Sequence, residues 1–201
     1  MPMRAVVVNN YVVNGWKATI LAKAVAEASG CKPEILDYGK VATESLRDFD
    51  VIILSGSDAN LRRPSTAARY DELAELVKNF PGAILGICFG HQLIGKAFGG
   101  AVVEMKKKTR GFYRLEVLER DTLFHGLPNP VLVYESHGKA VEEIMSGFIH
   151  LARSEKCDLE AFRHETRPIF GVQFHPEWAD DLRPHGSIIL RNFFTRCSNA
   201  T

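Results

Sequence analysis

The feature that most restricts the fold is an apolar run that leads directly into a cysteine flanked by glycines. The run Ala83–Ile87 continues as Gly86-Ile-Cys88-Phe-Gly90 and then into a helix-like pattern. Glycines on both sides of the cysteine leave space for a sharp strand-to-helix turn that holds the central side chain at a strained corner facing a cleft. The segment therefore predicts a buried strand, a helix that follows it at once, and a candidate nucleophile at Cys88.

Short apolar runs alternate with helical patterns through the first half of the chain. Helices are predicted at Thr19–Ser29 and Thr66–Asn79, and strands at Ala5–Val8, Pro33–Leu36, Val51–Leu54 and Ala83–Ile87. Gly30 is placed to end the first helix. Strands that alternate with helices predict an α/β fold with an open, mainly parallel sheet flanked by helices on both faces.

The second half of the chain has a different character after Gly99-Gly100. Strand-like runs separated by polar turns occur at Ala101–Glu104, Tyr113–Leu118, Pro130–Tyr134, His150–Ser154, Leu159–His164 and Ile169–Gln173. This pattern predicts a portion rich in antiparallel strands, followed by a final helix over Ile188–Cys197. Since no repeat or linker divides the sequence, residues 1–201 are predicted to form a single domain.

Composition excludes several classes of partner. With 25 basic and 24 acidic side chains, the net charge of +1 offers no broad field for nucleic acid or an anionic membrane. The basic segment Lys106–Arg110 is predicted to be a solvated loop rather than an anion site. The apolar stretch Ala5–Val8 is too short for a signal sequence or a membrane span. Four widely spaced cysteines indicate reduced thiols and a cytoplasmic location.

The position of Cys88 at a helix start suits a reactive thiol. The unpaired N–H groups and the positive dipole end of the helix stabilise a thiolate, and the N–H of Phe89 is placed to receive charge on a tetrahedral oxyanion. The alternative is a small buried apolar residue, which is the interpretation we prefer for Cys31, Cys157 and Cys197. The flanking glycines favour the nucleophile at Cys88.

The best candidate for a general base is His175, at the end of a strand-like run. On an extended chain, His175 and Glu177 point the same way, so the carboxylate is placed to fix the imidazole tautomer. A turn with a solvated ion pair is the alternative for this segment. His91, given a packing role on the predicted helix, and His137 are the rival bases. The histidine and cysteine spacings do not fit a zinc site, and no metal is predicted.

Two segments resemble the signatures of the class I, or triad-type, glutamine amidotransferases: Gly86-Ile-Cys-Phe-Gly-His-Gln-Leu-Ile and Phe174-His-Pro-Glu. The resemblance implies a flavodoxin-like α/β core that hydrolyses glutamine through a γ-glutamyl thioester and releases ammonia for a synthetase partner. It assigns the triad to Cys88, His175 and Glu177. Gln92 matches the family residue that helps bind glutamine.

Within this family, the second half of the chain resembles the amidotransferase part of GMP synthase. The similar run extends from Ser136-His-Gly to Arg167-Pro-Ile, and it implies that Ser136, His137 and Gly138 line the glutamine pocket. The chain has no P-loop and no room for a synthetase domain, so a separate ATP-dependent synthetase subunit is predicted to be its partner, with no cofactor on this chain. Trp178 and Asp180-Asp181 are candidates for that contact.

Three segments depart from the family pattern. Ser55-Gly-Ser-Asp replaces Ser-Gly-Gly-Pro in the loop whose backbone N–H, here that of Ser57, is implied to complete the oxyanion hole. The first strand ends in Asn9-Asn-Tyr rather than an Asp-x-Gly-Gln type of sequence, and Trp178-Ala-Asp-Asp replaces Val-x-His-Thr. Because of the lost glycine, the Ser57 loop is predicted to need a partner to order it. A stand-alone γ-glutamyl cysteine hydrolase and a non-catalytic partner-binding homologue are the alternative functions.

Overall fold

A mixed β-sheet runs through the molecule. The computed structural model describes residues 2–41, 46–120 and 123–198. Within these residues nine strands form one sheet in the order β2-β1-β3-β4-β9-β8-β7-β5-β6. They are β1 (Ala5–Asn9), β2 (Glu34–Asp37), β3 (Val51–Leu54), β4 (Ala83–Ile87), β5 (Val102–Val117), β6 (Val131–Val141), β7 (Phe148–Arg153), β8 (Ala161–His164) and β9 (Ile169–Val172).

The sheet changes from parallel to antiparallel at β9. Strands β2, β1, β3, β4 and β9 pair in parallel, whereas β8 is antiparallel to β9 and the remaining pairs are antiparallel as well. The predicted fold class, an α/β sheet with a strand-rich antiparallel portion in the second half, is confirmed. Strand β9 therefore borders the two kinds of sheet, and the chain that follows it leaves from the centre of the molecule.

Helices cover both faces of the parallel half. They are α1 (Lys17–Ser29), α2 (Pro64–Ala67), α3 (Asp71–Asn79), α4 (Phe89–Ala97) and α5 (His185–Ser198), with 3₁₀ turns at Tyr38–Lys40, Ala68–Tyr70 and Pro176–Trp178. Helix α1 ends as predicted at Gly30, whose φ of 74° lies in the left-handed region and whose N–H donates to the Ala26 carbonyl. None of the described helices is long and apolar enough to cross a membrane.

Alternate residues of the strands face two separate cores. On β3, Val51 and Ile53 pack with α1 and α5, whereas Ile52 and Leu54 pack with α3 and α4. All four side chains are buried, and full burial of each contributes roughly 1.5–3 kcal/mol to folding. The continuous apolar run of a central strand follows from this, because a strand covered on both faces needs apolar residues at every position.

Two predicted elements differ from the structure. The helix predicted over Thr66–Asn79 is divided into α2, a 3₁₀ turn and α3. The division lies at Tyr70, whose fully buried ring packs between Tyr38 and Phe89 and whose backbone has a non-helical ψ of 6°. The basic segment Lys106–Arg110 is not a loop. It belongs to β5, which joins the two predicted strands of that region, with a register shift between Glu104 and Thr109.

The basic side chains of β5 are exposed although the backbone is a strand. The lysines at 106–108 and Arg110 face solvent on the long pair formed by β5 and β6, and only the Thr109 side chain in this segment is buried. A charged run without alternation has no period-2 signal, so the pattern predicts a loop. Of the other cysteines, Cys157 is buried and Cys31 half-buried, whereas the Cys197 side chain lies outside the described residues.

Candidate active site

Cys88 occupies a strained corner between β4 and α4. Its φ of 52° is the only positive φ of a non-glycine residue in the described chain, and its ψ is −98°. Such a conformation costs on the order of 1–3 kcal/mol and persists only where the surroundings enforce it. The Cys88 N–H donates to the Val172 carbonyl at 2.8 Å, and the Cys88 carbonyl accepts from Gln92 N–H at 3.1 Å. The corner is therefore held to both β9 and α4.

The two flanking glycines are required by close backbone contacts. A Cβ atom at Gly86 would lie 2.5 Å from the Gly90 carbonyl carbon, and one at Gly90 would lie 2.4 Å from the Leu54 carbonyl oxygen. Real Cβ atoms essentially never approach that closely. The glycine-flanked turn predicted from the sequence is thus a tight packing of α4 against β3 and β4.

His175 follows β9 and pairs with Glu177. Its Nδ1–H donates to Glu177 Oε1 at 2.7 Å, and both side chains are almost fully buried. The His175 backbone N–H donates to the Tyr134 carbonyl at 2.7 Å, which ties this segment to β6. The predicted pairing occurs, but the geometry differs from an extended chain: Pro176 begins a 3₁₀ turn, because its fixed φ suits a helix start, and the turn brings Glu177 back to the ring.

Electrostatics favours a charged His175. Burial lowers the pKa of His175, but the neighbouring carboxylate of Glu177 and the Cys88 thiolate outweigh burial and raise the pKa well above its usual 6.5. With Nδ1 committed to Glu177, the second ring nitrogen is the one that meets the Cys88 sulfur. The imidazole therefore lies between the Cys88 side chain, which shares its cleft, and the carboxylate of Glu177.

Cys88 and His175 open into one cleft of about 500 Å³, which has room for a small polar molecule. Of the residues predicted to act in the site, Ser57 and Ser136 also line this cleft, and Glu177 lies behind the histidine. Phe89 contributes its backbone at the start of α4, and its ring is buried against Tyr70. The cleft is also lined by side chains that were not predicted to act on a substrate, although Trp178 was a candidate for the partner contact: Tyr11, Trp16, Lys17, Asp58, Arg110, Tyr134 and Trp178.

Gln92, His137 and Gly138 do not line the cleft. Gln92 is buried, and its Nε2 donates to the Lys139 carbonyl at 2.9 Å and to Gln173 Oε1 at 3.1 Å. His137 is buried with Nδ1 at 3.0 Å from the Lys139 carbonyl. Gly138 packs close to the side chain of Lys108. These residues connect α4, β5 and β6 beneath the cleft, and their part in binding a substrate stays a prediction.

A buried group of Glu135, His137 and Glu160 lies on the strands under the cleft. His137 Nε2 is 3.3 Å from Glu135 Oε2, and one ligand-type atom from each of the three residues lies within 4.8 Å of the others. Burial raises the pKa of Glu160 well above its usual value, and the charge of Glu135 raises it further. Burial and the neighbouring carboxylate therefore favour the protonated form of Glu160 in this cluster.

His91 has the packing role given to it from the sequence. Its ring is fully buried and stacks on Phe162 with 4.4 Å between ring centroids. Burial lowers the pKa of His91 to about 3, so the ring is neutral. A fully buried, neutral ring suits a packing role better than the role of base.

The Ser57 loop is tied to the end of β1. Ser57 Oγ donates to the Asn10 carbonyl at 2.7 Å and accepts from the Ala59 N–H at 3.0 Å. Asn10 in turn contacts Ser55 through its backbone N–H and its Nδ2, both at 2.9 Å. Two of the departures from the family pattern thus contact each other. The loop has anchors that the sequence interpretation, based on a missing glycine, did not include.

Comparisons with known proteins agree with this arrangement. The family model described as glutamine amidotransferase class-I matches residues 9–197. The chain is 43% identical over 156 residues to a glutamine-hydrolysing GMP synthase subunit of Thermococcus kodakarensis, covering 77% of this chain and 78% of that protein. The protein of the same name from Methanosarcina acetivorans is 36% identical over 195 residues, or 97% of both chains.

A solved structure extends the comparison to the fold. The crystal structure of a protein from Thermoplasma acidophilum, described as a GMP synthase subunit, superposes with a TM-score of 0.87 at 28% identity and covers all of this chain and 96% of its own. A glutamine amidotransferase from Thermotoga maritima, at 18% identity and a TM-score of 0.78, shares the fold. The resemblance inferred from the two sequence signatures is confirmed.

Proposed function

Because the chain belongs to the class I glutamine amidotransferase family, we propose that it hydrolyses glutamine to glutamate and ammonia through a thioester on Cys88. The observation that carries the proposal is the strained Cys88 corner, which opens into the same cleft as His175, itself bonded to Glu177 at 2.7 Å. We assign nucleophile, base and orienting carboxylate to these three residues, within one domain over residues 1–201.

The reaction proceeds in two halves that use the same imidazole. His175 holds the proton of Cys88, and the thiolate attacks the side-chain amide carbon of glutamine to give a tetrahedral oxyanion. His175 then protonates the nitrogen, the carbon–nitrogen bond breaks and ammonia leaves. Water, deprotonated by His175, attacks the thioester, the carbon–sulfur bond breaks, and glutamate and the Cys88 thiol are released. Glu177 holds the ring and balances its positive charge.

Backbone donors receive the charge that develops on oxygen. The N–H of Phe89 at the start of α4 and that of Ser57 on the facing loop are the two groups we assign to the oxyanion hole. Loss of one such donor costs roughly 10²–10³-fold in rate. Ser57 Oγ, bonded to the Asn10 carbonyl, supports this loop in position.

Glutamine is proposed to bind with its side-chain amide at Cys88. Ser136 reaches the cleft directly from β6. Gln92 holds the β6 backbone to α4 through the Lys139 carbonyl, which His137 Nδ1 also contacts, and Gly138 lies between these two residues, so the contribution of all three is proposed to act through the shape of the pocket. No cofactor takes part in this chemistry. The unpaired thiols of Cys31, Cys88 and Cys157 suit a reducing cytoplasm.

The ammonia is proposed to pass to a separate ATP-dependent synthetase subunit. This rests on the relatives named as glutamine-hydrolysing GMP synthase subunits, which implies purine biosynthesis as the setting. Trp16, which lines the cleft, is 59% exposed, and Val13 on the same loop after β1 is 77% exposed. Leu182, 90% exposed, lies on the loop that follows Trp178, which also lines the cleft. These exposed apolar groups are proposed to contact the partner.

The test is glutaminase activity of the chain and of its Cys88→Ala and Cys88→Ser variants, with Cys31→Ser as the matched control. We expect both Cys88 variants to lose activity and to lose covalent labelling by a glutamine-analogue electrophile, while their circular dichroism and unfolding stay as in the parent chain. Wild-type turnover in either variant would contradict the assignment. Faster turnover of γ-glutamyl peptides than of glutamine would favour a stand-alone hydrolase, and an inactive, unlabelled parent chain would favour a binding protein.

A further inference from the structure

Tyr11 brings a hydroxyl group to the reacting atoms. It follows β1 directly and lines the cleft with Cys88 and His175. The position of the Tyr11 hydroxyl oxygen follows from the space that a side chain at Gly56 would need. A Cβ atom built on Gly56 would lie 2.7 Å from the Tyr11 hydroxyl oxygen and 2.9 Å from His175 Cε1. The hydroxyl and the imidazole are therefore neighbours on the two sides of Gly56.

The Tyr11 hydroxyl is available as a hydrogen-bond donor. The hydrogen bonds of the described residues include its backbone N–H, which donates to Asn9 Oδ1 at 3.2 Å, but none that uses the hydroxyl. Lys17 Nζ lies 5.4 Å from the centre of the ring and packs on its face, away from the oxygen. The polar end of the side chain is thus directed at the cleft with no hydrogen-bond partner among the described residues.

The surroundings keep this hydroxyl protonated. Burial raises the pKa of Tyr11, and the negative charges of Glu177, the Cys88 thiolate and Asp58 raise it further. A phenol with a raised pKa remains an O–H donor at every pH at which the protein is handled. The same three groups show that the hydroxyl lies within the field of the reacting thiolate.

The position of Gly56 links Tyr11 to the oxyanion. Gly56 immediately precedes Ser57, whose N–H is assigned to the oxyanion hole, and the Tyr11 hydroxyl lies against Gly56. The Asn10 contacts with Ser55 and Ser57 hold the Tyr11 segment and this loop as one unit. The Tyr11 hydroxyl therefore lies on the same side of the cleft as the Ser57 loop.

We propose that Tyr11 is a further catalytic residue, whose hydroxyl donates a hydrogen bond to the oxyanion formed when Cys88 attacks the substrate. The proposal rests on the proposed glutaminase function. The proton stays on Tyr11 throughout, so the step adds a hydrogen bond and transfers no atom. Tyr11 belongs to the Asn9-Asn-Tyr segment that departs from the family pattern. Its additional donor compensates for the second departure, the loop in which Ser57 replaces a glycine.

The test is Tyr11→Phe in the full chain, with Tyr113→Phe as the control for loss of a tyrosine hydroxyl outside the cleft. Tyr11→Phe removes one oxygen that has no hydrogen-bond partner among the described residues, so the variant is expected to fold with an unchanged melting temperature. We expect kcat for glutamine hydrolysis to fall by roughly 10²-fold, the value for one oxyanion donor, with KM changed less than about threefold. Tyr113→Phe is expected to match the parent chain.

A second measurement separates an oxyanion role from substrate placement. The γ-aldehyde of glutamate adds reversibly to the Cys88 sulfur and places an oxyanion-like oxygen in the hole, whereas norvaline has the same chain length and no side-chain oxygen. We expect Tyr11→Phe to weaken inhibition by the aldehyde about as much as it lowers kcat, and to leave inhibition by norvaline within about threefold. Equal kcat in Tyr11→Phe and the parent chain, or equal weakening of both inhibitors, would overturn the proposal. A parent chain without glutaminase activity would instead refute the proposed function.

Discussion

A methyl group added at Gly86 is expected to damage both stability and catalysis, because it has no space to occupy. Its Cβ would lie 2.5 Å and 2.6 Å from the Gly90 carbonyl carbon and oxygen, and 2.6 Å from Ile94 Cδ1. To reach even the tightest separations that real Cβ atoms show, 3.0–3.4 Å, α4 must move away from β4 by roughly 0.5–0.9 Å. Two of the contacts are backbone atoms, so a change of side-chain rotamer cannot relieve them.

The shift translates into two measurable losses. Overpacking of this kind costs roughly 1–3 kcal/mol of unfolding free energy, which lowers the melting temperature of a chain of this size by about 2–12 °C. Because α4 carries the N–H of Phe89 and begins at Cys88, a displacement approaching about 1 Å is expected to lower kcat/KM by about 10²-fold.

The assay compares Gly86→Ala with Gly39→Ala. At Gly39 an added Cβ meets nothing within 4 Å, so that variant is expected to keep the parent melting temperature and glutaminase activity. Thermal unfolding by circular dichroism and steady-state glutamine hydrolysis would be measured for both. If Gly86→Ala melted and turned over like Gly39→Ala, the tight corner would not be what positions the nucleophile, and the reasoning would be refuted.

Three further predictions concern the groups around the thiol. His175→Ala is expected to be close to inactive in steady-state glutaminase assays, whereas Glu177→Gln loses a buried charge-assisted bond of 2.7 Å, worth roughly 1.5–3 kcal/mol or about 10–150-fold in kcat/KM. Equal activity in the two variants would contradict these roles. Since folding raises the pKa of Glu160, the folded chain holds that proton more tightly than the unfolded chain does, so the free energy of unfolding should fall as pH rises above about 4.5 towards the raised pKa. Glu160→Gln should make this fall smaller in urea titrations at about pH 5 and pH 8. An equal fall in the variant and the parent chain would refute the prediction. The isolated chain is expected to be a weak glutaminase that the proposed synthetase subunit activates by ordering the Ser57 loop. Ser57→Gly, which loses the 2.7 Å bond to Asn10, should be weaker still when isolated. Full activity of the isolated parent chain would rule out activation through this loop.

The parallel half of the fold was predictable because its strands are covered on both faces. Val51–Leu54 and Ala83–Ile87 were predicted with the bounds that the structure has, since an unbroken apolar run between turn residues has few other interpretations. The exposed strand β5 has no such signal. Its lysines and arginine face solvent, and its pairing with β6 depends on residues far away in sequence, which local patterns do not report.

The candidate site shows the same contrast between residues that local sequence patterns predict and residues that only the tertiary structure brings together. Cys88, His175 and Glu177 could be predicted as the proposed triad because each lies in a short motif whose local geometry favours those residue types. Tyr11 and Arg110 reach the same cleft from a loop and from an exposed strand, and only the tertiary pairing brings them there. The anchoring of Ser57 was not predictable from the sequence, because its hydroxyl finds the Asn10 carbonyl on a segment 47 positions earlier in the chain.

The hydrogen bond from Cys88 N–H to the Val172 carbonyl has a consequence for the folding of the chain during its synthesis. Strand β4 leaves the ribosome long before β9, which pairs with it through Ile84 and Ile169 and then delivers His175. Until β9 inserts, the thiol has neither its proposed base nor the contact that holds its corner. Chemical reactivity of Cys88 is therefore expected to report that this central strand has been placed.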